Sequence, residues 1–239
     1  MQLILLAAGK GTRLPNSFRK NPKCMAKIKN KTILEHNLSF YKIFKNKIII
    51  TGYKSNKLNK FITKNKFKEI KNKEYASTNM VNSLFKSKKL INDQELVICY
   101  TDIIFDKKIY HNLSKHKNKN LILLKKNWLD VWSGRMTKNE ILNDAEDVKI
   151  KKNILISIGE KIRNTLPKYQ YMGIIKLKFK DFIKLKNFYK KLQNKKIDFT
   201  SFLNEVLKKK IIKLNISITK KFWYEIDNAK DIKFTSKNI

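Results

Sequence analysis

The sequence predicts an α/β fold, a mostly parallel sheet flanked by helices, on three observations. Short apolar runs of strand length alternate with segments of helical period from Leu3 to Leu124, which is the pattern of repeated βαβ units. The first run, Leu3 to Leu6, feeds a loop of small residues, Ala7-Ala8-Gly9-Lys10-Gly11. An acid, Asp102, follows the run Glu95-Leu96-Val97-Ile98-Cys99-Tyr100, and so sits at a strand's carboxyl end, where open α/β sheets bind ligands.

The elements follow in order. Leu3 to Leu6 is a strand and Ile33 to Tyr41 has helical spacing. Lys47 to Gly52 is a short buried strand ending in glycine, Asn56 to Thr63 a short helix, and Phe67 to Ile70 a short edge strand. Val81 to Leu90 is helical, Glu95 to Tyr100 a strand, Tyr110 to His116 a helix, and Leu121 to Leu124 a strand. Asp144 to Ile162 reads as a small β-rich insertion, with Val148 to Ile150 and Ile154 to Ile156 as its hairpin. Then come a strand (Tyr171 to Leu177), two helices (Phe179 to Leu192, Phe199 to Leu207), a strand (Ile211 to Ile218) and a strand-like run from Trp223 to Asp227. A final helix begins at Asn228. With no Gly/Ser/Pro linker, repeat or tail, residues 1–239 read as one domain.

At 239 residues and 42% hydrophobic content the chain can bury a sizeable core. No apolar run reaches the roughly 18 residues of a transmembrane helix, and the N-terminus lacks the basic region of a signal peptide. Cys24 and Cys99 read as reduced thiols, so a cytoplasmic location is expected. The formal net charge is +36. Such a charge suits a nucleic-acid or membrane-surface binder. Here, though, lysine is scattered along the whole chain beside Asn and Ile, with no discrete basic tail and no zinc-finger or RNP-like pattern. Compositional bias is the favoured reading, and no nucleic-acid partner is expected.

The loop after the first strand carries the functional signal. Ala7, Ala8, Gly9 and Gly11 leave backbone amides open to close approach, and amides lining such a turn make a concave anion site. Arg13 and Lys23 can add fixed positive charge to the same phosphates. Neither common phosphate loop is present: the third glycine of the dinucleotide fingerprint is missing, and G-x-x-x-x-G-K-[ST] does not occur. An ordinary tight βα turn is the alternative. Two acids fit a divalent cation, Asp102 and Asp227, the latter ending Trp223-Tyr224-Glu225-Ile226-Asp227. Each is also a plausible turn or cap residue. Glu225 shares a strand face with Asp227. Asn79 offers a donor and an acceptor to a base edge, and Ser77 and Ser83 offer hydroxyls. Ser77 and Thr78 serve equally well as caps of the following helix.

The string Leu6-Ala7-Ala8-Gly9-Lys10-Gly11-Thr12-Arg13-Leu14 with Pro22-Lys23 downstream resembles the signature of the nucleotidyltransferases that activate sugar phosphates and phosphorylated amino alcohols. That resemblance implies a Rossmann-like fold of the nucleotide-diphospho-sugar transferase type. It implies transfer of a nucleoside monophosphate, with release of pyrophosphate and Mg²⁺ as cofactor. It puts the nucleotide on Leu6, Ala7, Ala8, Gly9, Gly11 and Thr12, with Tyr53, Ser77, Asn79 and Ser83 near the base. Lys23 and Arg13 become the catalytic cations, and Asp102 and Asp227 the metal ligands. Lys10 and the Asn16 to Asn21 stretch depart from many relatives, which place T-P or L-T segments there.

Trp128-Leu129-Asp130-Val131-Trp132-Ser133-Gly134-Arg135-Met136 puts two Trp four apart and an Arg three beyond, on one helical face. Such a pair with acids nearby suits a cationic amine, and equally suits the core. Asp144, Glu146 and Asp147 lie just downstream. Together with Thr78-Asn79-Met80-Val81 and Asp144-Ala145-Glu146, this segment looks like the cytidylyltransferases acting on phosphocholine, 2-aminoethylphosphonate and similar amino-phosphates. The resemblance implies CTP as donor and an acceptor site of Trp128, Trp132, Arg135, Glu146 and Glu225. The alternatives are a sugar-1-phosphate nucleotidyltransferase, a basic nucleic-acid or membrane-surface binder, and a non-catalytic regulatory domain. The sequence does not decide between monomer and homodimer.

Overall fold

The computed structural model describes residues 1–16, 18–162 and 165–239; Ser17, within the Asn16 to Asn21 stretch, lies outside them. A nine-stranded sheet forms the centre. In spatial order its strands are Lys68–Lys71, Asn46–Thr51, Gln2–Ala7, Leu96–Tyr100, Gln170–Leu177, Leu121–Lys125, Asn215–Thr219, Ile154–Lys161 and Glu146–Lys151. Gln170–Leu177 and Ile154–Lys161 run against the rest. The expected mostly parallel, helix-covered sheet is therefore present.

Gln2–Ala7 is buried at all six positions, as a strand covered on both faces must be. Its side chains alternate between two cores. Leu3 and Leu5 pack with Ile49, Val97 and Cys99 on one face. Ile4 and Leu6 pack with Ile48, Ile50, Leu96 and Ile98 on the other. Burying each such aliphatic side chain stabilises by about 1.5–3 kcal/mol. The chain moves outward from Gln2–Ala7 to Asn46–Thr51 and Lys68–Lys71, then returns to pair Leu96–Tyr100 on the opposite side of Gln2–Ala7. Strand order thus reverses between Gln2–Ala7 and Leu96–Tyr100. Their carboxyl ends open into a crevice.

Several elements depart from the sequence expectation. The helix expected over Ile33 to Tyr41 breaks into Ile33–His36 and Leu38–Tyr41. Buried Asn37 lies at the break, where its Nδ2 donates to the Ile103 carbonyl at 2.6 Å and its Oδ1 accepts from the Phe105 amide at 3.2 Å. A side chain serving a distant strand this way competes with helix continuity. The strand expected from Ile211 begins only at Asn215, because the exit from helix Phe199–Lys208 needs a turn with Lys210 at φ 54°. The β-rich insertion is a longer hairpin than expected, Glu146–Lys151 with Ile154–Lys161. Lys152 and Asn153 turn it with φ of 48° and 61°, the left-handed pair of a tight hairpin. It extends the main sheet through Ile154 opposite Asn215. Helix Lys138–Asp144, started by a Thr137/Glu140 capping box, precedes it.

A second, two-stranded sheet brings the distant acids together. Trp223–Glu225 pairs antiparallel with Ile103–Phe105, Glu225 opposite Ile103. The next residue, Ile226, donates its amide to the Asp102 carbonyl at 2.8 Å. Asp227 is therefore delivered beside Asp102. Cys24 and Cys99 are both free and buried. No helix among the described residues is long and apolar enough to cross a membrane.

Candidate active site

The loop leaving Gln2–Ala7 and the residues after Leu96–Tyr100 form a cleft of about 230 Å³. Leu6, Ala7, Gly9, Gly11 and Thr12 line it together with Lys23 and Asp102. Gly11 is required twice over. Its φ is +62°, and a Cβ there would lie 2.8 Å from Lys23 Cβ. Only glycine lets the loop turn this way over the Lys23 stem. A Cβ on Gly9 would meet nothing within 4 Å, so the loop is open to the cleft there.

Pro22 starts the short helical turn Lys23–Met25 and its fixed backbone aims Lys23 inward. Lys23 Nζ lies 2.8 Å from Asp102 Oδ2 and 2.5 Å from Asp227 Oδ1. Arg13 Nη2 reaches the same Asp227 oxygen at 2.9 Å, while most of the Arg13 side chain stays exposed. Burial by itself would lower the Lys23 pKa, but Asp102 and Asp227 outweigh it and the pKa is raised. Asp102 Oδ1 is buried and has no hydrogen-bond partner among the described residues. Among those residues no three His, Cys, Asp or Glu side chains form a metal-holding group; the two carboxylates are bridged by the Lys23 ammonium.

A second cavity, about 310 Å³, adjoins the first, and Arg13 and Met80 line both. Its walls are aromatic and acidic. Tyr171 stacks on Phe199 at 6.4 Å and 12°, and Tyr100 meets both edge-on. Five of the chain's 19 acids line it: Asp144, Glu146, Asp198, Glu225 and Asp227. Arg13 is the one cation lining it among the described residues. Thr200 donates to Glu146 at 2.7 Å. Burial pushes the Glu146 and Asp144 carboxyls upward. Burial, then Asp227 and Asp102, push Glu225 up to about 8.

Not every expected residue reaches these cavities. Trp132 and Glu146 line the second one. Trp128 does not: it is buried beneath Trp132, 5.1 Å away edge-on, and its indole N–H donates to the Pro167 carbonyl at 3.0 Å. Arg135 is buried against Asp231, Nη1 to Oδ1 at 2.5 Å, with Nη2 at 3.7 Å from Glu225. It does not line the cavity expected to hold an acceptor, because a buried guanidinium is drawn to buried carboxylates. Asn79, not Thr78, caps helix Met80–Lys86; it lines the second cavity rather than the first. Tyr53, Ser77 and Ser83 line neither. The Tyr53 hydroxyl donates to the Arg19 carbonyl, the Ser77 hydroxyl to the Glu74 carbonyl, and buried Ser83 accepts from Asn72. Ala8, within the loop, is buried and lines neither cavity. Sequence reasoning missed Met80, Tyr100, Tyr171, Asp198 and Phe199. The Asp198-Phe199-Thr200-Ser201 helix start was the available signal for the last part of that wall.

Residues 2–238 match the Nucleotidyl transferase family. The chain belongs to that family. This nucleotidyl transferase is 31% identical to the CTP:phosphoglutamine cytidylyltransferase of Campylobacter jejuni, across 97% of its own length and 98% of that protein. It is 27% identical to the choline-phosphate cytidylyltransferase of Streptococcus pneumoniae over 68% of its length and 67% of the relative. Among solved structures, the CTP:phosphocholine cytidylyltransferase of S. pneumoniae superposes with a TM-score of 0.78 at 18% identity, covering 99% of this chain and 98% of that one. The inositol-1-phosphate CTP transferase of T. maritima gives 0.78 at 16%, covering 99% and 95%. The structural matches establish the nucleotidyl transferase fold.

Proposed function

We propose that the protein transfers CMP from CTP to a small phosphorylated acceptor bearing a cationic nitrogen, releasing pyrophosphate. One observation carries this reading: the glycine-loop cleft, lined by Lys23 and Asp102, adjoins the acidic, aromatic cavity, lined by Asp227, at Arg13 and Met80, and Lys23 bridges the two acids. Cytidylyltransferases among the relatives support CTP as donor. In a chain of net charge +36, an acidic cavity flanked by Tyr100, Tyr171 and Trp132 suits a small cation, by charge and by cation–π attraction. That cavity weighs against a neutral sugar phosphate.

The chemistry is joining an acceptor phosphate oxygen to the α-phosphorus while the bond to pyrophosphate breaks in line. The attacking oxygen is already anionic, so no protein base has to remove a proton. What the protein must supply is position and countercharge. The amides of Gly9 and Gly11 face the triphosphate. Lys23 leaves Asp102 and Asp227 for phosphate oxygens, and Arg13 follows at the cleft mouth.

Mg²⁺ fits this reading. Asp102 and Asp227 supply two carboxylates, one with an unpartnered buried oxygen, and Mg²⁺ commonly takes one or two carboxylates plus phosphates and water. Bound there it would neutralise charge on the α-phosphate and the leaving group. The test is pyrophosphate release with Mg²⁺, crossing CTP, UTP, GTP and dTTP against phosphocholine, other amino-phosphates and glucose-1-phosphate. Turnover with CTP and an amine-bearing acceptor is expected. Turnover confined to sugar phosphates would overturn the acceptor assignment.

A further inference from the structure

Arg135, of the expected acceptor set, is buried in an ion pair with Asp231, its Nη1 bonded to Oδ1 while its Nε and Nη2 have no hydrogen-bond partner among the described residues. Helix Trp128–Ser133 ends at Gly134, where a Cβ would lie 2.2 Å from Phe234 Cε2. That close approach sets Arg135 against the start of the last helix, Ala229–Asn238. There Asp231 is fully buried. Its Oδ1 takes the Arg135 guanidinium at 2.5 Å. Its Oδ2 accepts the amides of Asp227 at 2.7 Å and Asn228 at 2.9 Å. The other arm of Arg135 faces Glu225, and its planar group lies over Trp132, 5.4 Å from the ring centre. One buried ion pair thus grips the segment 225–228 from both sides of Asp227.

We propose that the Arg135–Asp231 pair is a positioning device for Asp227, holding its backbone so that its carboxylate faces Asp102 across the nucleotide cleft. Arg135 acts through Asp231 and Glu225 rather than by touching the acceptor. A carboxylate that already accepts two backbone amides is tethered at its Oδ2. The guanidinium on Oδ1 fixes its rotamer. Groups that orient a metal-binding carboxylate typically matter by about 10–100-fold in metal affinity. The proposal rests on the CTP and Mg²⁺ reading above.

The experiment is calorimetric titration of CTP into the full-length protein, with and without Mg²⁺, for wild type, Asp231→Asn, Arg135→Lys and the double variant. Wild type is expected to bind CTP more tightly with Mg²⁺. Each single variant loses about tenfold or more of that Mg²⁺-dependent gain, keeps its metal-free CTP affinity, and keeps its acceptor KM. The double variant loses no more than the worse single. Thermal unfolding shows which variants fold, and Arg135→Lys retains the charge if Asp231→Asn does not. Additive losses, or an intact Mg²⁺ gain with a raised acceptor KM in Arg135→Lys, would overturn the positioning role. Absence of any Mg²⁺ gain in wild type would overturn the metal reading together with it, an outcome distinct from failure of the pair alone.

Discussion

Replacing Lys23 with methionine keeps the stem that packs over Gly11 and removes the charge between two carboxylates. The Lys23 side chain is 14% exposed, that of Asp227 7% and that of Asp102 23%. Removing one partner of a buried ion pair typically costs about 3–5 kcal/mol, since the remaining charge stays desolvated and unpaired. Arg13 still reaches Asp227 at 2.9 Å, so the lower end, about 3 kcal/mol, applies to the ligand-free protein. For a domain of this size that corresponds to a fall of about 6–12 °C in Tm. The pH dependence gives a second check. The Lys23 pKa is raised above its usual 10.5, so its stabilisation is fully present below that pH and is lost only as pH climbs through the raised value. The wild-type advantage therefore persists across pH 7–9. The assay is thermal unfolding by circular dichroism at several pH values without nucleotide. A Lys23→Met midpoint within about 2 °C of wild type at neutral pH would refute the bridging role.

Three further outcomes follow from the same geometry. Asp102→Ala removes the carboxylate carrying the unpartnered oxygen and should lower the rate of pyrophosphate release by at least about 100-fold, measured with CTP and the best acceptor. Glu225→Gln should flatten the pH dependence of stability. The wild-type Glu225 pKa rises from 4.5 to about 8, so the folded state binds the extra proton and stability falls as pH rises through that window; a slope unchanged in the variant, followed by denaturant unfolding, would contradict this. Trp128→Phe deletes the indole bond to Pro167 and leaves a void, costing about 1–3 kcal/mol in denaturant titration. Acceptor KM should stay unchanged, because Trp128 lies under the cavity wall.

What the sequence made legible was the part written in local composition. Ala7 to Gly11 announces itself because small residues in a row after an apolar strand leave the backbone bare. Asp102 was visible because it follows the apolar run Glu95 to Tyr100. Asp227 was joined to it by the family resemblance alone; the contact that puts the two side by side is the pairing of Trp223–Glu225 with Ile103–Phe105, which no local pattern encodes. The same limit explains Arg135 and Trp128. Their helical spacing is real, but which neighbours they bury against depends on the last helix, whose start lies 94 residues beyond Arg135 at Ala229. Ser83 and Asn37 show a further limit: each looks like an ordinary polar helix residue, and each is claimed by a buried partner from another element. The acidic cavity was half visible through Asp144 and Glu146. Asp198 and Phe199 join it only when helix Phe199–Lys208 packs on the hairpin strand Ile154–Lys161.

The most direct measurement is ³¹P NMR of a reaction containing CTP, Mg²⁺ and a phosphorylated amine, with wild type and Asp102→Ala side by side. Attack at the α-phosphorus predicts the coupled doublets of a new CMP-linked diphosphate appearing in step with pyrophosphate, and neither with the variant. Formation of CDP and inorganic phosphate, or an equal product from Asp102→Ala, would contradict the central role given to the Lys23, Asp102 and Asp227 junction.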